Sequence, residues 1–171
     1  MDVFSQRAIQ VAFLTVPVLS LQDVTALVDR QRRAGKQIVF TNGVFDILHI
    51  GHLRYLRKAR ALGHVLVVGV NADASVRRLG KGDDRPVTPE AERAELLSSL
   101  SCVDAVLIFS EDTPAEIIGT LLPDILVKGA DWQGRENPGQ TLVEARGGRM
   151  EFIPLEPGYS TTGILKTIRK S

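Results

Sequence analysis

Five short apolar runs, separated by stretches of helical spacing, constrain this chain more than any other feature. They are Ile38-Val39-Phe40, His64 to Val70, Ala105 to Phe109, Ile125 to Lys128 and Met150 to Ile153. The second is nearly continuous in apolar residues, as expected of a strand covered on both faces in a parallel sheet. Helical patterns fill the intervals. Ser20 is placed to cap a helix with Leu21, Val24, Leu27 and Val28 on one face and Gly35 at its stop. Leu53, Leu56 and Ala59 mark a second helix from about Ile50 to Gly63, and Ala74 to Leu79 a short third. Thr88-Pro89 opens a helix reaching about Ser99, with proline at its first position, and Thr113-Pro114-Ala115-Glu116 reads as a capping box. Leu142 to Arg146 and a last segment with Ile164, Leu165 and Ile168 complete the series. A doubly wound, mostly parallel α/β sheet of about five strands with helices on both faces is the economical solution.

The 171 residues are 44% hydrophobic, enough to bury one core of this kind. We read residues 20–171 as one domain and residues 1–19 as a tail or first strand. Arg7 and the apolar run Ala8 to Leu19 imitate an export signal, but Gln10, Thr15 and Pro17 interrupt it and no clear cleavage site follows. The run is also too short to span a bilayer. A net charge of +1 argues neither for nor against nucleic acid or membrane. The single cysteine, Cys102, excludes an internal disulfide and suits a reducing, cytoplasmic compartment; its apolar neighbours make it a small buried hydrophobe.

In an open α/β sheet, ligands sit beyond the carboxyl ends of the strands. After the first strand comes Thr41-Asn42-Gly43, turn chemistry in which glycine admits close approach of backbone to a ligand. A helix start follows, so backbone N–H groups and a positive dipole end converge on an anion site. His49 and His52 lie there, three apart and on one helix face. The familiar G-x-x-x-x-G-K-[ST], G-x-G-x-x-G and H-E-x-x-H patterns are missing from the sequence. Instead, Thr41-Asn42-Gly43-Val44-Phe45-Asp46-Ile47-Leu48-His49-Ile50-Gly51-His52 resembles the signature of the cytidylyltransferase-like branch of the HIGH-motif nucleotidyltransferases. Gly158-Tyr159-Ser160-Thr161-Thr162 resembles a second motif of that branch, at the last helix. Within the branch, Val70 to Leu79, Arg85-Pro86-Val87 and Leu126 to Trp132 resemble the D-glycero-β-D-manno-heptose 1-phosphate adenylyltransferases. The resemblance spans about Ser20 to Lys170.

The resemblance implies a Rossmann-like nucleotidyltransferase fold. It also implies that a sugar phosphate oxygen attacks the α-phosphate of ATP and releases pyrophosphate, giving ADP-heptose for the lipopolysaccharide inner core. Such a nucleophile is already an anion, so the enzyme needs positioning and charge stabilisation rather than a strong base. On this reading His49 and His52 donate N–H groups, Thr41 its hydroxyl, and Asn42, Gly43, Val44 and Phe45 contact the nucleotide. Lys128, Gly129 and Tyr159 join the nucleotide site, with Ser160, Thr161 and Thr162 on the β- and γ-phosphates. Lys81 is a catalytic cation and Arg93 a second clamp; Asp46, Asp73, Asp131 and Trp132 contact phosphate or substrate. Mg²⁺ travels on the ATP phosphates, and the protein supplies no metal cage. Partners are small molecules, with no nucleic acid and no membrane, in a homo-oligomer.

Plainer roles compete with several of these. Asp46, His49 and His52 at three-residue steps could ligate zinc, and either histidine could satisfy core hydrogen bonds. Lys81 could serve loop solubility, Arg93 a surface ion pair, Asp131 and Trp132 a turn, and Thr161 or Thr162 a cap. His64, at a strand edge, reads as structural. One departure bears on the base. Related glycerol-phosphate cytidylyltransferases carry an arginine just before the second motif, whereas Pro154-Leu155-Glu156-Pro157 has none, which points to adenine over cytosine. The alternative is another nucleotidyltransferase of the branch, such as one joining CTP and glycerol 3-phosphate, or a nucleotide-binding module without turnover.

Overall fold

The computed structural model describes residues 18–80 and 84–170. Five strands form one parallel sheet in the order β3-β2-β1-β4-β5: β1 Ile38–Gly43, β2 Val65–Asn71, β3 Ala105–Phe109, β4 Ile125–Gly129 and β5 Arg149–Ile153. The helices are α1 Leu21–Arg33, α2 Ile50–Arg60, α3 Asp73–Arg78, α4 Glu90–Ser98, α5 Ala115–Leu121, α6 Gln140–Glu144 and α7 Thr161–Ile168. Alternate strand residues feed opposite faces. Ile38, Phe40, Val67, Leu107 and Leu126 pack with Val24 and Val28 of α1 and with Ile117, Ile118 and Leu121 of α5. Val39, Leu66, Val68, Val106 and Val127 pack with Leu56 and Ala59 of α2 and with Ala94 and Leu97 of α4. Both faces are dry, which is why the runs read as continuous rather than alternating.

The order reverses at β1, whose neighbours are β2 and β4, so the crevice lies at the carboxyl end of β1. There the structure departs from the sequence reading. Thr41, Asn42 and Gly43 are strand rather than turn, because they continue the pairing with Val68, Gly69 and Val70 of β2. Two helix starts differ as well. Pro89 and Pro114 sit at the cap of α4 and α5, not at the first helical position, and neither cap is bonded by a side chain. The capping box expected at Thr113 therefore does not form. Ser20 does cap α1, accepting from the Asp23 N–H at 3.1 Å.

Residues 1–17 of the expected tail lie outside the described residues; Val18 makes a parallel bridge to Val106 at the β3 edge. Cys102 is half-buried rather than buried, with burial raising its thiol pKa. His64 accepts the Gln37 N–H at 3.0 Å through Nδ1, a structural bond. Among the described residues no helix is long and apolar enough to cross a membrane.

Candidate functional site

The loop from β1 to α2 is held in an uncommon shape. Phe45 and Ile47 both have left-handed backbone, φ 51° and 48°, a costly conformation for an aromatic and a β-branched residue. Neighbours fix it. The Asp46 carboxylate accepts from Arg85 Nε at 2.6 Å and from the N–H groups of Val87 and Thr88 at 3.0 and 2.9 Å. Its carbonyl accepts from Thr161 Oγ1 at 2.6 Å, tying the loop to the first turn of α7. Burial would raise the Asp46 carboxyl, but the two amide hydrogen bonds and the Arg85 charge outweigh it and lower the pKa.

At the start of α2, His49 is the cap, and its Nδ1 accepts from the Gly51 N–H at 3.2 Å. With Nδ1 occupied as an acceptor, a neutral His49 carries its proton on Nε2. The His52 ring stacks on it, centroids 3.9 Å apart and planes 19° off parallel, with the Phe45 ring edge-on to His52 at a centroid distance of 5.4 Å. Burial, with His49 alongside, pulls the His52 pKa down to about 4, and burial lowers that of His49 too. Both rings are neutral donors at neutral pH. Gly51 makes this possible, since a Cβ there would lie 3.0 Å from the His49 ring and 3.1 Å from Tyr159 Cβ. Gly51→Ala is therefore expected to lower kcat by about tenfold while melting within a few degrees of wild type. Unchanged kcat would show that the ring position does not matter.

The histidine pair also links pH to stability. A folded pKa of about 4 lies below the ordinary 6.5, so as pH falls the unfolded chain takes up the proton first. Stability should drop from pH 6.5 to about 4 and level off below, by about 3 kcal/mol from His52. Asp46 adds to acid loss only below its usual 3.8. Urea unfolding at pH 7, 5.5 and 4.5 checks this; a His52→Asn variant with the same slope as wild type would contradict it.

These groups open into a cleft of about 580 Å³. One wall is Asn42, Gly43, Val44, Phe45 and Asp46 with His49, Gly51 and His52; another is Lys128, Gly129, Asp131 and Trp132. Leu155, Glu156 and Tyr159 with Ser160, Thr161 and Thr162 close it opposite. Lys128 bonds Asn42 and lies 5.1 Å from the Trp132 ring centre. Ser160 caps α7 by accepting from the Gly163 N–H at 3.0 Å, leaving the first-turn N–H groups of Thr161 and Thr162 without intrahelical acceptors. Arg54 and Lys58 both bond Glu156, at 3.1 and 2.8 Å, and lower its carboxyl pKa, Lys58 first. Arg54 also reaches over Tyr159 at 5.8 Å.

Five residues expected to touch ligand have other work. Thr41 is fully buried; its hydroxyl donates to the Val127 carbonyl at 3.0 Å and pairs with the Tyr55 hydroxyl at 2.7 Å. Arg93 is 1% exposed and clamps no ligand, since it donates to the carbonyls of Val44, Asn71 and Thr88. Asp73 is its ion-pair partner at 2.6 Å, outside the cleft wall. The Thr161 hydroxyl is taken by Asp46, so that residue can offer phosphate its N–H but not its side chain. Asp46 in turn has its carboxylate committed to the 85–88 segment. Lys81 lies outside the described residues.

The sequence reading missed Arg85, Tyr55, Leu155 and Glu156 as cleft residues. Arg85 matters most. Its side chain is 10% exposed, and with Nε on Asp46 its two terminal amino groups keep their N–H donors for the cleft. Its presence in the Arg85-Pro86-Val87 run was the available signal.

A family model, described as cytidylyltransferase-like, matches residues 40–166, from the middle of β1 into α7. The chain belongs to the cytidylyltransferase-like family. Both motif-bearing helix starts of the cytidylyltransferase-like segment face this cleft. The chain is 56% identical over 149 residues to the "Bifunctional protein HldE" of Syntrophotalea carbinolica, covering 87% of this chain and 30% of that protein. It is 51% identical over 152 residues to the protein of the same name in Geotalea uraniireducens, covering 89% and 31%. The chain thus spans less than a third of the length of these curated relatives. Among solved structures it resembles a lipopolysaccharide core biosynthesis protein from Thermoplasma volcanium, with a TM-score of 0.60 and 33% identity. That match covers 71% of this chain and 98% of the other.

Proposed function

We propose that this domain is an adenylyltransferase joining ATP to D-glycero-β-D-manno-heptose 1-phosphate, giving ADP-heptose and pyrophosphate for lipopolysaccharide core synthesis. The observation that carries this reading is the convergence of two helix starts and a stacked, neutral histidine pair on one cleft. A sugar phosphate oxygen attacks the α-phosphorus, the bond to the β-phosphate breaks, and pyrophosphate leaves. The nucleophile brings its own charge, so catalysis lies in holding the groups in line and stabilising the phosphates.

His49 and His52 donate to the α-phosphate region. The α7 N–H groups of Thr161 and Thr162 and the Ser160 hydroxyl take the departing phosphates. The Arg85 fork supplies a planar cation at the β2 side of the cleft. Lys81, one residue past the described segment, belongs to the same proposal. Lys128, Gly129, Asp131 and Trp132 stand at the β4 side for the nucleoside, with backbone from Asn42 to Phe45. Mg²⁺ arrives on the ATP phosphates, where it neutralises charge. The Asp46 carboxylate, held by Arg85 and two amides, is not offered to an ion. Localisation in the cytoplasm and homo-oligomeric assembly complete the proposal.

Adenine selection is argued from Leu155 and Glu156, which line the cleft and lie in the segment before the second motif, where related glycerol-phosphate cytidylyltransferases carry an arginine. Leu155 packs against Gly129, its Cδ2 3.0 Å from where a Cβ would stand, so an apolar side chain stands beside the β4 end of the cleft. Pyrophosphate release with ATP should exceed that with CTP by at least about tenfold in kcat/KM. Preference for CTP would overturn the base assignment.

A further inference from the structure

Asp46 has two ends, and each holds a different part of the phosphate machinery. Its carboxylate takes Arg85 Nε at 2.6 Å and the Val87 and Thr88 N–H groups, while its carbonyl takes Thr161 Oγ1 at 2.6 Å. Arg85 and Thr161 are 76 positions apart and come from different crossovers, the first on the β2 side and the second at the last helix. The residue between them is 1% exposed and flanked by two left-handed residues, so its position is fixed on all sides. Resting on the phosphoryl-transfer reading above, we infer that Asp46 is a positioning residue: a clip that aims the Arg85 fork and the α7 N-terminus at one phosphate path without touching substrate.

The physical case is one of geometry rather than charge supply. Asp46 gives up negative charge to Arg85, which weakens the raw pull of that cation on phosphate. In return it leaves the two terminal amino groups presented as a fixed pair, the arrangement that recognises phosphate bidentately. Loss of the clip should therefore spare binding and damage alignment, and alignment acts on kcat. The other groups around the carboxylate are the amides of residues 87 and 88 and, farther off, His52, whose own pKa the Asp46 charge raises slightly against larger opposing causes.

The test is a double-substitution cycle in the full chain. Asp46→Asn should lower kcat by about 30-fold with both KM values within threefold of wild type. Arg85→Ala should lower kcat by at least as much, about 30-fold or more, and also raise KM for ATP or for the sugar phosphate by about tenfold or more, the substrate affected identifying which phosphate the fork meets. The combined variant should fall no more than about threefold below Arg85→Ala, because Asp46 acts through Arg85. Multiplicative losses would overturn the clip, as would an Asp46→Asn enzyme with unchanged kcat. Thr161→Val, which removes only the second tie, covers the case in which Asp46→Asn does not fold; it should lower kcat by about tenfold, and an unchanged rate counts against the clip. A readout free of turnover separates this inference from the reaction itself. The Arg85 Nε–H resonance should be slow to exchange in wild type and lost in Asp46→Asn. If that holds and no acceptor yields pyrophosphate, the reaction assignment fails and the clip survives. If turnover is seen but the resonance is the same in both proteins, the clip fails alone.

Discussion

Replacing His52 with alanine is expected to lower kcat by about 10²-fold or more with the fold intact, a loss typical of removing one donor to a developing charge. The ring is stacked on His49 at 3.9 Å and backed edgewise by Phe45, which hold it at the cleft wall. Its neutrality matters to the argument. With a pKa near 4, His52 is a hydrogen-bond donor and not a cation at working pH, so activity between pH 6 and 8 should show no ionisation of His52. His52→Asn, which keeps an N–H donor on a shorter side chain, should recover part of the rate. Thermal unfolding and steady-state pyrophosphate release together check both statements. A His52→Ala enzyme with wild-type kcat would remove this side chain from the mechanism.

Arg93→Ala should produce the largest loss of stability in the chain, about 4 kcal/mol. The side chain is 1% exposed, and its removal leaves the buried carbonyls of Val44 and Asn71, the part-buried carbonyl of Thr88 and the Asp73 carboxylate without this donor. An emptied volume adds to that cost. For a domain of this size the melting temperature should fall by about 8–16 °C. Because the Val44 carbonyl is one of the three, the cleft loop is disturbed as well, and kcat/KM should fall in whatever protein remains folded. Arg93→Lys cannot span four acceptors with one ammonium and should restore little. A melting temperature within 3 °C of wild type for Arg93→Ala would contradict the strut role.

The strands and helices were legible because burial on both faces writes itself into the sequence as apolar runs with turn residues between them. The two motif-bearing helix starts were legible for the same local reason. Arg93 reads as a surface cation from its charge alone, but its helix buries it. It shares the inward face with Ala94 and Leu97, and that spacing already argued for burial. Thr41 was misread because a threonine at a strand end looks like turn chemistry until the pairing with Val68 and Val127 is known. The Asp46–Arg85 pair was not legible at all. The two residues lie 39 positions apart, and nothing in the local pattern of either announces the other.

The most direct test of the central claim is a single turnover assay: purified protein, Mg²⁺, ATP and D-glycero-β-D-manno-heptose 1-phosphate, with pyrophosphate and the nucleotide sugar both quantified. The account predicts equimolar pyrophosphate and ADP-heptose, dependent on the sugar phosphate and reduced by about 10²-fold or more in His52→Ala. ATP bound without either product, or pyrophosphate formed equally well with no sugar phosphate present, would contradict it.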